Sequence, residues 1–438
     1  MSDSASHHNG FDSVATPQQR SAMRSAIIGQ CFGTLGYQAL TRGLALVYLT
    51  KLGISSARVL VYLSLPVFLI SVISVPCALI ADRLGIKRLG VPGLVLSTIG
   101  FATFALAGSA PLAWQELAVL MGCIIIAIGD AMVAAGWFAL LSPIVPPALR
   151  GRFFGRLRMS WQIMGVLFLT ICGVVLARDA SVSTYQILLG IATLGSVIRI
   201  IFYVRIPELD PPAPNPVPVK EALSSVIAAP GYISFCAYVF LLGLCTGGSL
   251  NIFGMVEKNV LELNDNLIVW LGNATMIGAI IGFFIGGRAV DRYSTKPVFL
   301  VCHFGFGAVL LTFLARHLAG TALVPALAGV HLFLGMLLAA SSIAISTELL
   351  ALIPPMNKSL STTMAGVLLQ LSASISGLLA AWVLDLNILA DQWKLGGATL
   401  SAYDSILALW AILVLLFVVT LGLVPSVIRK AEWMPGGA

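Results

Sequence analysis

Twelve apolar runs, beginning near residues 26, 59, 89, 117, 157, 185, 230, 267, 297, 322, 362 and 403, follow one another along this chain of 438 residues. Each approaches the ~20 residues that a helix needs to cross a hydrocarbon core of roughly 30 Å. Backbone in lipid must satisfy its own hydrogen bonds, and a helix does so within one segment. With 58% hydrophobic and 10% charged residues, the chain cannot clothe a water-soluble surface, where about 25% charge is usual. The expected fold is all-α and integral to a membrane, with twelve transmembrane spans.

The chain also repeats itself. Ala78-Leu-Ile-Ala-Asp82-Arg83-Leu-Gly85-Ile-Lys87, after the second run, returns as Gly287-Arg-Ala-Val-Asp291-Arg292-Tyr-Ser294-Thr-Lys296 after the eighth, 209 residues later. Pro146-Pro147 and Pro354-Pro355 lie 208 apart, as do Gln162 and Gln370. An offset near half the chain length predicts two homologous six-helix halves. Between them, Arg205 to Lys220 is rich in proline and charge, too stiff for helix and too polar for lipid. The expected segments are a polar tail over 1–25, a bundle over 26–204, a linker over 205–229, a second bundle over 230–426 and a tail over 427–438.

Basic residues set the expected orientation. With both termini cytoplasmic, seventeen of the 25 Lys and Arg fall on inner segments and six on outer ones, with Arg42 and Arg199 inside spans. The net charge of +7 is then mostly an orientation signal of a multi-pass inner (plasma) membrane protein, with no nucleic-acid partner. Residues 1–25 contain no hydrophobic stretch ending in a small-residue cleavage site, so the first span is expected to direct insertion. The seven cysteines all lie in apolar runs without the paired spacing of a zinc site or disulfide framework. No metal or cofactor is expected, and His7-His8 in the Ser-rich tail are assigned no role.

These features resemble the major facilitator superfamily over the whole chain. The resemblance is carried by Asp82-Arg83-x-Gly85-x-Lys87-Arg88, by its copy at Asp291-Arg292, and by Arg150-Gly151-Arg152 before the fifth span. Ala78, Ile86 and Ser294 depart from the family pattern. The resemblance implies a secondary transporter, functional as a monomer, whose halves rock about a midplane cavity. It also implies a cytoplasmic latch. Asp82 and Arg83 would face the start of the eleventh span near Lys358, and Asp291 and Arg292 the start of the fifth near Arg150 and Arg152. A carboxylate at a helix N-terminus gains about 0.3–1 kcal/mol from the dipole and free N–H groups. The alternative is that these are loop charges obeying the orientation rule.

Charge at membrane depth costs at least ~2.5 kcal/mol on insertion scales and needs a reason. Asp130, in the middle of the fourth span, is the clearest case, and the resemblance puts that span beside the central cavity. Arg42 is the natural counter-ion, sharing a face of the first span with Gln38 at i, i+4. By depth, Arg42 lies roughly 10 Å and Asp130 roughly 20 Å from the outer ends of their spans, so both are read as cavity residues whose direct pairing stays open. Asn251 is the 209-offset counterpart of Arg42, and with Thr246 and Ser249 gives the seventh span a polar face. Glu348 reads as either a gating or an interfacial acid, Arg199 as snorkelling, and His303 and His331 as core histidines.

The expected function is movement of a small polar organic solute by alternating access, coupled to protons, with Asp130 carrying the proton and Arg42, Gln38 and Asn251 binding solute. The alternatives are efflux of amphiphilic compounds and a non-transporting receptor or scaffold. Signatures of drug antiporters and sugar porters are absent or partial, and the likeness of Arg42-Gly43-Leu-Ala-Leu-Val-Tyr48 to peptide transporters is faint. No nucleophile with base and oxyanion donors is seen, which argues against an enzyme.

Overall fold

The computed structural model describes residues 15–146, 149–177, 180–209, 224, 231–352, 358–395 and 397–423. The chain forms α1 (Pro17–Thr41), α2 (Leu44–Lys51), α3 (Ser56–Leu84), α4 (Ile86–Leu106), α5 (Leu112–Ala134), α6 (Trp137–Leu141), α7 (Arg150–Val175) and α8 (Val182–Val204). After the linker come α9 (Tyr232–Thr246), α10 (Ser249–Asn259), α11 (Asp265–Tyr293), α12 (Thr295–Leu314), α13 (Leu323–Leu352), α14 (Lys358–Asp385) and α15 (Ala402–Phe417). The first span is α1 with α2, the fourth α5 with α6, and the seventh α9 with α10. This gives the twelve spans and an all-α membrane fold. A hairpin of β1 (Gln392–Leu395) and β2 (Ala398–Ser401) joins the last two spans.

The first helix starts nine residues before its apolar run because Pro17-Gln-Gln19 is a strong start signal. The Gln19 backbone N–H donates to Thr16 Oγ1 at 3.2 Å and the Thr16 N–H donates to Gln19 Oε1 at 3.0 Å. Such a box, with proline in the first turn, is worth about 1 kcal/mol. Residues 17–25 therefore belong to the helix and not to a polar tail.

The duplicated motif makes the same turn twice. α3 passes into α4 through Gly85 at φ +102°, and α11 into α12 through Ser294 at φ +68°. Both positions occupy the left-handed region, where an L-residue costs roughly 1–2 kcal/mol and glycine costs nothing extra. Ser294 thus departs from glycine in residue type and keeps its backbone shape.

Each half packs its own helices, and one large apolar core runs through both. In the first, α1 lies against α7 and α8, and α4 against α5 and α8; in the second, α11 and α12 lie against α13, and α9 against α14 and α15. The halves meet through two pseudo-equivalent pairs, α3 with α14 and α7 with α11. These are the helix pairs that the latch requires. The side chains of Asp82, Arg150 and Lys358 lie outside the described residues, whereas Arg83, Arg152, Asp291 and Arg292 are exposed.

Contact between the halves is tight at the face opposite the termini. Asn259 Nδ2 donates to Ser56 Oγ at 3.0 Å, Asn273 Nδ2 to Thr170 Oγ1 at 3.0 Å, and the Tyr185 hydroxyl to Asp265. Backbone approaches backbone at Gly272, where a Cβ would stand 2.3 Å from the Arg42 carbonyl oxygen. The partner strand of this approach is the break between α1 and α2, where Gly43 sits at φ +95°.

Candidate functional site

Two broken spans, one from each half, build the site. The first breaks at Arg42-Gly43, whose left-handed glycine ends α1 and restarts the helix as α2. The seventh breaks at Gly247-Gly248 between α9 and α10. Breaks of this kind are tolerated at membrane depth where protein or a cavity surrounds them. Here a cavity of about 20 Å³ lies between the two, lined by Arg42, Leu46, Asn251, Glu257, Ile268 and His331 among others. That is enough for about one water. Arg42 and Asn251, related by the repeat, therefore share one cavity across the interface between halves.

Gln38 is buried and positions the cation. Its Oε1 accepts from Arg42 Nε at 3.4 Å, and its Nε2 donates to Thr34 Oγ1 at 3.3 Å. No acidic side chain pairs with Arg42 among the described residues, so its fork of Nη donors is available to a ligand.

The second half supplies a carboxylate that sequence reasoning passed over. Glu257 is fully buried. Its Oε1 lies 2.7 Å from His331 Nε2, while its Oε2 has no partner among the described residues. His331 Nδ1 lies 2.9 Å from the Thr275 hydroxyl, which also reaches the Leu271 carbonyl at 3.3 Å. Phe253 packs edge-on to the His331 ring and stacks on Phe313 at 3.8 Å between centroids, closing one side with hydrocarbon. Glu257 escaped notice because it precedes Lys258 at the end of an apolar run, where a Glu-Lys pair reads as interface. The repeat held the missing signal: 209 residues earlier stands Tyr48, itself fully buried. His331 is a core histidine as expected, with the addition of an acidic partner.

Asp130 occupies a different place from Arg42. Its Oδ1 accepts from Ser97 Oγ at 2.9 Å and lies 3.9 Å from Arg199 Nη1. The group lies among α4, α5 and α8 of the first half, with the Asp130 side chain 28% exposed. Arg199 is thus the counter-ion of Asp130, which replaces the expectation that it snorkels, and the structure does not bring Asp130 to Arg42. Glu348 is also buried and accepts a hydrogen bond from the Thr295 hydroxyl, tying α13 to the first turn of α12 away from the Arg42 cavity. His303 is held between Tyr238 at 2.6 Å and Ser341 at 3.0 Å. Glu208 caps α4, accepting from the N–H groups of Ile86 at 2.6 Å and Lys87 at 3.2 Å; among the described residues, this is the acid docked at the first copy of the repeated turn.

The sequence profile of the Major Facilitator Superfamily matches residues 26–269, more than half of the chain. The chain belongs to this family. Among curated relatives it is similar to the multidrug resistance protein MdtH of Edwardsiella ictaluri, 26% identical over 167 residues, which is 38% of this chain and 40% of that protein. It is also similar to MdtH of Cronobacter sakazakii, 36% identical over 81 residues, or 18% and 19% of the two chains. The matches thus span less than half the length of these relatives. Among solved structures, a POT family transporter in complex with 5-aminolevulinic acid superposes with a TM-score of 0.71 at 13% identity, covering 93% of this chain and 96% of that one. A D-xylose-proton symporter superposes with a TM-score of 0.67 at 11% identity, covering 91% and 97%. These similarities place the same fold over the full length of both halves.

Proposed function

We propose that this chain is a secondary transporter that moves a small polar organic solute by alternating access in the inner membrane, as a monomer, and couples that movement to protons. Both termini are cytoplasmic in this reading, because the basic residues concentrate on their side. The face where Asn259 meets Ser56 is then the outer one. The observation that carries the reading is the shared cavity of Arg42 and Glu257, one from each half, at a place that must come apart when the halves rock.

In this mechanism Arg42, oriented by Gln38, holds the solute with help from Asn251. Glu257 and His331 hold the proton. Thr275 satisfies His331 in either state: its hydroxyl donates to Nδ1 when that nitrogen is bare, and turns to the Leu271 carbonyl, accepting from Nδ1–H, when the pair gains a proton. Neither state leaves a His331 ring nitrogen unpaired, so proton gain at the ring carries no hydrogen-bond penalty. The role first given to Asp130 passes to Glu257, since Asp130 is compensated by Arg199 within one half. Asp82, Arg83, Arg150, Arg152, Asp291 and Arg292 form the cytoplasmic latch, and Glu348 braces α13 beside it. The work is binding and movement, with no covalent step.

Efflux of amphiphilic compounds is the second reading, favoured by the names of the relatives that match part of the chain. Charges on both walls of the cavity favour a polar solute. The test is proton flux into liposomes containing the purified protein, challenged with sugars, peptides, organic anions and amphiphiles. Proton entry driven by a polar solute supports the proposal; proton exchange driven only by amphiphiles replaces it with efflux.

A further inference from the structure

The site's two charges stand on opposite halves and neither has an ionic partner of its opposite sign beyond the cavity. Arg42 has free Nη donors, and Glu257 pairs with His331 through one oxygen only. Other charged groups at this end of the spans pair with one another or lie at the surface. Lys258 pairs with Asp265, which also accepts from Tyr185. Arg316 forks onto Asp404 at 2.6 and 2.9 Å, Arg58 pairs with Glu116 at 2.6 Å, and Lys51 is exposed at the end of α2. The charge of the cavity is therefore set by Arg42, by the Glu257–His331 pair and by what binds between them.

Resting on the transport reading above, we infer that the site takes a small organic monocarboxylate together with one proton, in an obligatory and electroneutral pair. When the cavity is empty, the cation of Arg42 and the anion of the Glu257–His331 pair balance. A proton alone neutralises the pair and leaves Arg42 uncompensated. A carboxylate alone neutralises Arg42 and leaves the pair negative. Loading both restores balance. Closing an interface on a net buried charge is costly, and closing it on a balanced set is much less so. The empty and fully loaded carriers can thus rock, while the half-loaded ones are held back, which couples proton to solute without a further gate.

The same arithmetic selects the ligand. A planar carboxylate matches the guanidinium fork, and Leu46, Leu250 and Ile268 line the cavity, so that a hydrocarbon body would meet apolar side chains once the halves part. A dianion leaves one negative charge over when a single proton is bound. A zwitterion balances the site without a proton and would be moved uncoupled.

The experiment uses the purified full-length protein in detergent, with thermal midpoints read at about pH 5.5 and about pH 7.5, on either side of the usual histidine range. The probes are lactate, hexanoate and benzoate as monocarboxylates, succinate as dianion, alanine as zwitterion and glucose as neutral solute. At least one monocarboxylate should stabilise the protein, and do so more strongly at the lower pH. Arg42→Gln should abolish the shift, and Glu257→Gln, fixed in the neutral form, should give it equally at both pH values. The strongest probe is then taken into liposomes, where its accumulation should ignore an imposed potential; movement of one net charge would change it by about 50-fold per 100 mV. The inference is overturned if no monocarboxylate stabilises the protein, if succinate does so as well, if alanine stabilises it more strongly at the lower pH, or if accumulation follows the potential. Should glucose or alanine drive proton entry while the monocarboxylates do not bind, only the ligand class falls. If no solute of any class drives proton movement, the transport reading falls with it.

Discussion

Each half sets an acidic side chain within a span, and the two treat it in opposite ways. In the first half Asp130 is held by Ser97 and by Arg199 at 3.9 Å, all within one bundle. In the second, Glu257 has one oxygen on His331 and the other unpartnered, at a cavity shared with the first half. An ion pair internal to one rigid body does not change as the bodies rock, whereas a carboxylate at their junction changes its surroundings with every cycle. In the proposed account the duplicated scaffold carries Asp130 as a structural carboxylate and Glu257 as a working one, and the difference lies in which side of the interface the partners stand on.

Four variants break or sharpen that contrast. The largest effect is expected from His331→Ala, which leaves Glu257 buried without its partner; proton-driven accumulation in liposomes should fall by about 100-fold or more, in line with loss of a positioned acid–base group. Arg199→Leu should instead destabilise the protein by up to about 3 kcal/mol, a ceiling because the pair is 3.9 Å apart and partly exposed, while the pH dependence of transport keeps its shape. Thermal unfolding reads the loss, and Asp130→Asn added to Arg199→Leu should recover most of it. Next, Gly272→Val puts a side chain against the Arg42 carbonyl and should wedge the outer face open. A cysteine placed at Asn273, buried at the same junction, should then label several-fold faster with a membrane-impermeant maleimide, the packing penalty being about 1–3 kcal/mol. The smallest effect is Ser294→Gly, which removes left-handed strain at the second turn and should raise stability by about 1 kcal/mol, visible as a small rise in thermal midpoint.

The architecture was legible because lipid imposes it. Helix starts read from apolar runs fall within a few residues of the observed ones at most spans, and the repeat of Asp82-Arg83 at Asp291-Arg292 announced two halves whose turns at Gly85 and Ser294 share a conformation. The pairing of Arg42 with Asn251 was legible from the same offset. Side-chain partners were not. Asp130 stood out as a charge in the middle of an apolar run, yet nothing in the order of residues says that Arg199, 69 positions on, turns inward to meet it. Glu257 was hidden for the opposite reason. A Glu-Lys pair near the end of a span is cheap at an interface, and only the packing of α10 against α11 and α13 shows the acid facing inward and the lysine pairing with Asp265. The β1–β2 hairpin was beyond reach of hydropathy, since its ladder is polar and short.

The central claim is that Glu257 carries the coupling proton, and it is tested most directly by comparing two modes of transport in Glu257→Gln. In liposomes, the variant should exchange labelled for unlabelled solute across the membrane, because exchange needs rocking and no net proton movement. It should fail to concentrate that solute when a pH gradient is imposed, while Asp130→Asn still concentrates it. A Glu257→Gln protein that accumulates solute against its gradient as well as the unmodified protein does would contradict the account, and would return the coupling role to Asp130.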